Sequence, residues 1–400
     1  MKKPFNKSID YYILPNKIFC SIAGMWPIDE KSSMFSKIFA YVRLIFGLIV
    51  VSSFFIPEII IIAMNWKNIK IIAGIGCVLT TITQVLFKML YLIVRREKTY
   101  SLYYKIRSLW NSSNDSKERP YEEFAYWARI FSIIFYSSCM CNVFTFSIAA
   151  AIDYFKFEYN ANNTENNRHL PFIVWYGTDI SASPNFEIAF FYQIISASIC
   201  AAVISGLDTS LMTIILHISG QFKLINIWIN NIGIEINCNP NYIRKLKIDL
   251  IKCIRHHQQI IHVVNNVNNL FTPIIFIQLL TSGIEICLSG YAVLDSDSAN
   301  ADLLKFISYF ISMGIQLLLW CWPGEILIQE SQEIGHVIYL NIPWYNLPPI
   351  YQKYFCLMIV RTQQYCRITA LTFQTLSICT LTSVFNTSIS YFTLLRQIQQ

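Results

Sequence analysis

Residues 38–64 read IFAYVRLIFGLIVVSSFFIPEIIIIAM. A helix that crosses a bilayer needs about 20 mainly apolar residues, and this stretch offers 27 with only two charges, Arg43 and Glu58. It is predicted to span a membrane. Pro57 is tolerated inside it, because neighbouring helices can satisfy the backbone groups that a proline frees. Six further stretches qualify in the same way: 71–94, 130–152, 186–218, 270–294 (with Pro273 inside), 303–322 and 368–395. An eighth apolar run, 350–360, is too short to span and reads as a buried or interfacial helix.

The whole chain agrees with its most apolar part. Of 400 residues, 54% are hydrophobic and 14% charged, against roughly a quarter charged in ordinary soluble chains; the mean hydropathy is +0.43. A soluble enzyme and a nucleic-acid binder are both excluded by that balance. The expected class is an all-α membrane protein with seven transmembrane helices. Met1–Ser36 is polar, holds three prolines and lacks an apolar core, so no cleavable signal peptide is expected there.

A net charge of +7 suggests an anionic partner until the cations are placed. Residues 1–37, 95–119, 217–260 and 326–367 hold 22 of the 31 Lys and Arg, whereas 65–70, 153–187 and 293–302 hold four. Cytoplasmic loops collect Lys and Arg, so the N-terminus is expected inside and, after seven crossings, the C-terminus outside. The surplus then marks a membrane face, and no nucleic acid is implied. Asp295, Asp297 and Asp302 make the third outer loop acidic, and Asn162 begins a glycosylation sequon on the long second outer loop. Modification at Asn111, which also matches, would invert the topology.

The twelve cysteines are scattered, with no CxxC pair and none in the long outer loop, so neither a disulfide framework nor a zinc site is implied. Arg255, His256, His257 and His262 form one irregular cluster that fits solvated or inter-subunit histidines better than a metal centre. Asp208 and Glu285 lie in or near spans, where an ionisable group is a functional candidate by default. Asp208 sits near the inner end and suits a structural role; Glu285 is placed to shape a ligand cavity. The Asn239-Pro240-Asn241-Tyr242 run lies in an inner loop and carries no weight. No cofactor is expected.

The stretch 368–395 differs from the other spans. It has no charge but eleven Ser or Thr. At 100° per residue, Thr369, Thr372, Leu376, Thr380, Ser383, Thr387, Ser390, Leu394 and Gln397 fall in one arc, with Phe373, Ile378, Leu381, Val384, Phe385, Ile389 and Phe392 opposite. A hydroxyl stripe without charge suits a water-filled path with little discrimination among cations, and a hydrophobic constriction can gate by dewetting. Leu394, repeated around a ring of subunits, is such a constriction. Close packing through small polar residues is the competing account of the same stripe. The pore reading also requires an oligomer, with this last helix lining a pore at its axis.

The closing residues Thr382-Ser383-Val384-Phe385-Asn386-Thr387-Ser388-Ile389-Ser390-Tyr391-Phe392-Thr393-Leu394-Leu395-Arg396 resemble the C-terminal signature of insect odorant receptors. Gly24-Met25-Trp26-Pro27, then Asp208, His217 and Gly220-Gln221, then Gln316, Trp322 and Gly324, and Arg361-Thr362-Gln363 continue the resemblance in order along nearly the whole chain. It implies a ligand-gated, non-selective cation channel in the plasma membrane of sensory neurons, assembled as a heterotetramer with a shared co-receptor. It also implies that the long fourth to seventh helices extend inward as a cytoplasmic anchor. The odorant pocket should lie in the outer half among spans two, three, four and six, and Leu394 should occupy the hydrophobic gate. Two departures are visible. Leu381 stands where the signature has an aromatic residue, and the loop between spans four and five is shorter than in the co-receptor, which favours an odorant-specific subunit.

The expected organisation is thus a cytoplasmic N-terminal segment (1–37), helices one to six with a ligand-binding region (38–325), an anchor segment (326–367), and the pore helix with a short extracellular tail (368–400). Candidate pore residues are Thr380, Ser383, Thr387, Ser390, Leu394 and Gln397. Candidate contacts for a small volatile odorant are Phe144, Phe146, Phe191, Tyr192, Ile195, Tyr309, Phe310 and Met313, because such ligands are held by apolar shape with a few polar points. Related gustatory receptors, whose closing pattern differs from Ser390-Tyr391 and Gln397-Ile398, are the nearer alternative. A lipid-processing enzyme or transporter is the more distant one; it would need a catalytic constellation or a paired broken repeat, and neither is present, so no enzyme is expected.

Overall fold

The computed structural model describes residues 7–27, 32–113, 118–159, 170–177, 180, 182–238, 242–295, 300–371 and 373–399. Two short helices, α1 (Ile9–Tyr12) and α2 (Leu14–Ile22), precede the bundle. Seven helices are long and apolar enough to cross a membrane: α3 (Met34–Met64), α4 (Ile69–Val94), α6 (Pro120–Tyr159), α7 (Asn185–Cys238), α8 (Ile243–Asp295), α9 (Asn300–Asn341) and α11 (Ile378–Gln399). Between them lie α5 (Arg96–Ser113), α10 (Pro349–Gln363) and a two-stranded hairpin, β1 (Thr369–Ala370) with β2 (Gln374–Thr375). The seven-helix expectation is met. Asn162 and Asp297 lie outside the described residues.

Local chemistry sets the helix starts. Ser33 accepts the Ser36 amide at 3.3 Å and Asn68 accepts that of Ile71 at 3.4 Å, capping the otherwise orphaned donors of α3 and α4. The middle helices run past the apolar stretches that announced them. At 1.5 Å per residue the 54 residues of α7 cover about 80 Å, well beyond a bilayer core of about 30 Å. The excess of α7, α8 and α9 collects at one end, together with α5 and α10. This basic end holds the segments richest in Lys and Arg.

Helix α7 is the centre of the fold. Residues 201–222 are buried without a break, and a helix enclosed on all sides must satisfy its hydroxyls internally. Ser205, Thr209, Ser210 and Thr213 each donate to a carbonyl four residues earlier, at 2.5–2.7 Å. Gly220 is required by contact: a Cβ there would stand 2.6 Å from the Tyr121 Cα of α6.

One boundary departs from expectation. The stretch 368–395 is not a single helix: α11 begins only at Ile378, where Ser377 caps it by accepting the Thr380 amide at 3.3 Å. The residues before it pair across the hairpin, Thr369 opposite Thr375. The hairpin is pinned to α8, since Asn268 accepts the Thr369 amide (3.0 Å) and donates to the Arg367 carbonyl (2.7 Å), while Thr272 donates to the Thr369 carbonyl (3.1 Å). Its closing carbonyl at Leu376 fits against α9 only because residue 324 is glycine; a Cβ there would lie 2.4 Å away. The 22 residues left to α11 still cover about 33 Å, enough to cross. The expected arc of hydroxyls therefore loses Thr369 and Leu376, which precede the helix, while Thr372 lies outside the described residues. The fourth to sixth spans are long, as α7, α8 and α9, whereas the seventh is short and is preceded by the separate α10.

Candidate functional site

A cavity of about 100 Å³ lies in the half of the bundle away from the basic end. Val51 and Phe54 of α3, Val78, Thr81, Ile82 and Val85 of α4, and Asn142 and Phe146 of α6 form part of its wall. Ala197, Cys200 and Ala201 of α7 and Tyr309 and Met313 of α9 complete most of the rest. The first span joins the four that were expected. So does the segment between α6 and α7: the Phe172 ring stacks on Phe146 at 5.2 Å, edge-on to Phe54 at 5.8 Å. Gln193 of α7 holds that segment by accepting the Phe172 amide (2.9 Å) and donating to its carbonyl (3.0 Å).

Polar points in the wall are few. The Thr81 hydroxyl donates to Glu285 Oε1 of α8 at 2.8 Å and contacts the Tyr309 hydroxyl at 2.5 Å; Tyr309 donates to the Cys77 carbonyl at 2.7 Å. Glu285 thus backs the cavity through Thr81. Asn142 Oδ1 is buried and accepts no hydrogen bond. Toward the basic end from the cavity sits a buried ion pair. Lys88 Nζ donates to Asp208 Oδ1 and Gln278 Oε1, both at 2.5 Å, and Gln316 donates to Asp208 Oδ2 at 2.6 Å. Four helices, α4, α7, α8 and α9, meet in that one cluster. The structural part expected of Asp208 has this geometry, but Lys88 as its partner was not foreseen, although a lone lysine inside an apolar span was visible.

Of the eight candidate ligand contacts, the structure brings together Phe146, Tyr309 and Met313. Phe144, Phe191, Tyr192, Ile195 and Phe310 are exposed on the outside of the chain. The reason is helical geometry. Residues two apart, such as Phe144 and Phe146, point about 200° apart, so only one faces inward. On α7 the inward face is built from Gln193, Ser196, Ala197 and Cys200, so choosing its aromatics selected the face turned to lipid. Tyr192 still reaches back, donating to Ser53 at 2.6 Å.

Of the candidate pore residues, Ser383, Thr387, Ser390, Leu394 and Gln397 share the exposed side of α11. Thr380 does not: it is buried, and its hydroxyl donates to the Thr375 carbonyl at the helix start. The other side of α11 packs on α8 and α9, with Ser388 donating to the Gly283 carbonyl at 3.0 Å. Only 17% of the most apolar part of α11 is buried, the least among the seven candidate spans of the described residues. The histidines go separate ways. His256 bonds Gln221 Oε1 (2.9 Å), His257 stands edge-on to Phe222 (5.9 Å), and His262 contacts Lys105 (3.4 Å).

The profile of the 7tm odorant receptor family matches residues 74–389, most of the chain. The chain belongs to the insect odorant receptor family. Odorant receptor 13a of Drosophila melanogaster is 31% identical to it over 204 residues, 48% of each chain, so this match spans about half of that relative's length. Odorant receptor 22c of the same species is 22% identical over 395 residues, 96% of each chain. In fold the receptor is similar to the insect olfactory receptor OR5 from Machilis hrabei, solved in complex with eugenol, with a TM-score of 0.78 over 98% of both chains at 14% identity. Its relatives are receptors, so this odorant receptor is a multi-pass membrane protein and not an enzyme.

Proposed function

We propose that the chain is the odorant-binding subunit of a ligand-gated, non-selective cation channel. The ligand is a small volatile held in the cavity behind Phe172, and the channel is a heterotetramer with a co-receptor subunit in the plasma membrane of sensory neurons. The positive-inside distribution supports a basic end in the cytoplasm, which turns the cavity to the outer half.

The observation that carries this reading is the pairing of an apolar cavity with one helix that the rest of the chain leaves uncovered. An apolar cavity of about 150 Å³ holds benzene, so about 100 Å³ suits a molecule of few heavy atoms. The uncovered side of α11 also has a chemistry suited to cations. Thr387 and Ser390 give their protons to carbonyls four residues earlier, at 2.8 and 3.0 Å, and so offer oxygen lone pairs outward. Cations are solvated by such acceptors, and the uncharged stripe gives little discrimination among them. Leu394, exposed on the same side near the end of α11, supplies the dewetting constriction.

The test is co-expression with the co-receptor and recording of current under a panel of small volatiles. Evoked current is expected; its absence with both subunits at the surface overturns the proposal. Leu394→Ser is expected to raise unliganded current, and an unchanged baseline removes Leu394 from the gate. The unpaired acceptor at Asn142 favours ligands with a hydroxyl. Asn142→Leu is expected to weaken responses to alcohols about fivefold while sparing hydrocarbons of the same shape, as befits one net hydrogen bond.

A further inference from the structure

A second and larger cavity, about 420 Å³, opens at the basic end, far from the one behind Phe172. It forms where the N-terminal segment folds back over the start of α3. That crossing is tight: Gly24 adopts φ +66°, and a Cβ on it would stand 2.4 Å from the Ala40 carbonyl. The fold-back brings Lys17 and Ser21 of α2 opposite Ser32, Ser36, Ala40 and Arg43, with Trp110 and Tyr103 of α5 behind them.

The wall is amphipathic and its free charge is positive. Asp10 also lines the cavity, but it is bound by Arg107. Lys17 and Arg43 have no carboxylate partner among the described residues, and Arg43 Nε is buried without any acceptor. Deeper in, His217 is 3% exposed and its Nε2 is likewise unpaired. Tyr12 remains a neutral donor, since burial and then Glu122 push its hydroxyl up to about 12. Lys17, Arg43 and Tyr12 are donors that wait for an acceptor, in a wall that also holds Ile9, Ile13, Trp26, Pro27 and Ile214.

The position of the cavity on α3 identifies where the acceptor comes from. Ser36, Ala40 and Arg43 form one stripe of the helix, with Ser32 just ahead of its first turn, and Phe35, Phe39, Val42 and Phe46 form the adjoining one. The second stripe is exposed, with Phe35 at 81% and Phe39 at 55%. On a membrane-spanning helix such a stripe faces acyl chains. Arg43 sits at the seam, its guanidinium 4.8 Å from the Phe39 ring.

We propose that this cavity binds an anionic membrane phospholipid. The phosphate-bearing headgroup sits between Lys17, Arg43 and the hydroxyls of Ser32 and Ser36, and the acyl chains run along Phe35, Phe39 and Val42. Basic pockets between membrane helices hold such headgroups, and each cation near an anionic surface contributes about fivefold in affinity. The site rests only on the membrane-spanning character of the chain and not on an odorant in the other cavity.

The test uses the full chain in bilayer discs of phosphatidylcholine, with or without phosphatidylinositol 4,5-bisphosphate, and counts retained lipid by native mass spectrometry without odorant. The wild-type chain retains the bisphosphate lipid over phosphatidylcholine. Lys17→Gln lowers retention about fivefold, and Lys17→Gln with Arg43→Gln lowers it about twenty-five-fold. Ser36→Phe, which fills the cavity and keeps both charges, also lowers retention, whereas exchanging the two cations by Lys17→Arg with Arg43→Lys preserves it. Retention at the wild-type level by Lys17→Gln and by Ser36→Phe overturns the site. Competition by soluble inositol trisphosphate at the same concentration as the lipid overturns the membrane source.

Discussion

The residue that decides most inside the bundle is Lys88. Its ammonium and the Asp208 carboxylate are almost fully removed from solvent, and desolvating two such charges costs about as much as their attraction returns. The pair is therefore no large net source of stability, yet either member alone would be an uncompensated charge. Lys88→Met is expected to cost about 3–5 kcal/mol, read as lower thermal stability in detergent and a lower surface yield. Lys88→Met with Asp208→Leu is expected to recover most of that loss; a double variant as unstable as the single would mean that Gln278 and Gln316 depend on the pair. At this scale the sequence was half legible. Asp208 and Glu285 stand out as charges in apolar runs, and so does Lys88 when the same criterion is applied to it. The inward faces were not legible, because a span that is apolar all round shows no periodic contrast between its core side and its lipid side. Aromatic residues were a poor guide there, and the small residues of α7 would have been a better one.

Elements were legible where membrane thickness dictates them and illegible where the chain leaves that constraint. Seven apolar stretches became seven helices because a bilayer leaves no other use for 20 apolar residues. The hairpin before α11 was hidden because its residues are as apolar as a span. The one local signal was the cap, Ser377 three residues ahead of Thr380. Gly324 is the hinge of this arrangement: it lets the Leu376 carbonyl close on α9, while Glu325 accepts the Ile378 amide at 3.2 Å and so fixes the first turn of α11. Gly324→Ala forces the hairpin outward, and overpacking of this kind costs about 1–3 kcal/mol. The expected outcome is a shifted α11, detected as altered unliganded current at undiminished surface expression. A variant with wild-type baseline and wild-type ligand sensitivity would show that the hairpin does not set the position of that helix.

Across the whole molecule, the apolar surface falls into two classes that composition alone cannot separate. Most of it lies on the spans and faces lipid. The rest lies at the basic end, beyond the reach of a bilayer that the 33 Å or so of α11 already crosses. On α10, Phe355 and Met358 pack inward, yet Ile350, Tyr354 and Leu357, spaced at i, i+4 and i+7, form a second apolar stripe that is exposed, as are Tyr339 and Leu340 at the end of α9. Apolar stripes in water mark protein interfaces, and α10 and α11 both pack on α9 while each leaves a side uncovered. One contact surface running from α10 to α11 would place the hydroxyl-bearing helices of several subunits around a common axis, which a single subunit cannot enclose. In the proposed heterotetramer, Leu357→Glu with Ile350→Glu is therefore expected to break assembly with the co-receptor while leaving the fold of the monomer intact. The measurement is co-purification of the two subunits together with the elution volume of the complex. Retained assembly with both substitutions in place would move the subunit interface away from α10 and leave α11 to associate through the membrane alone.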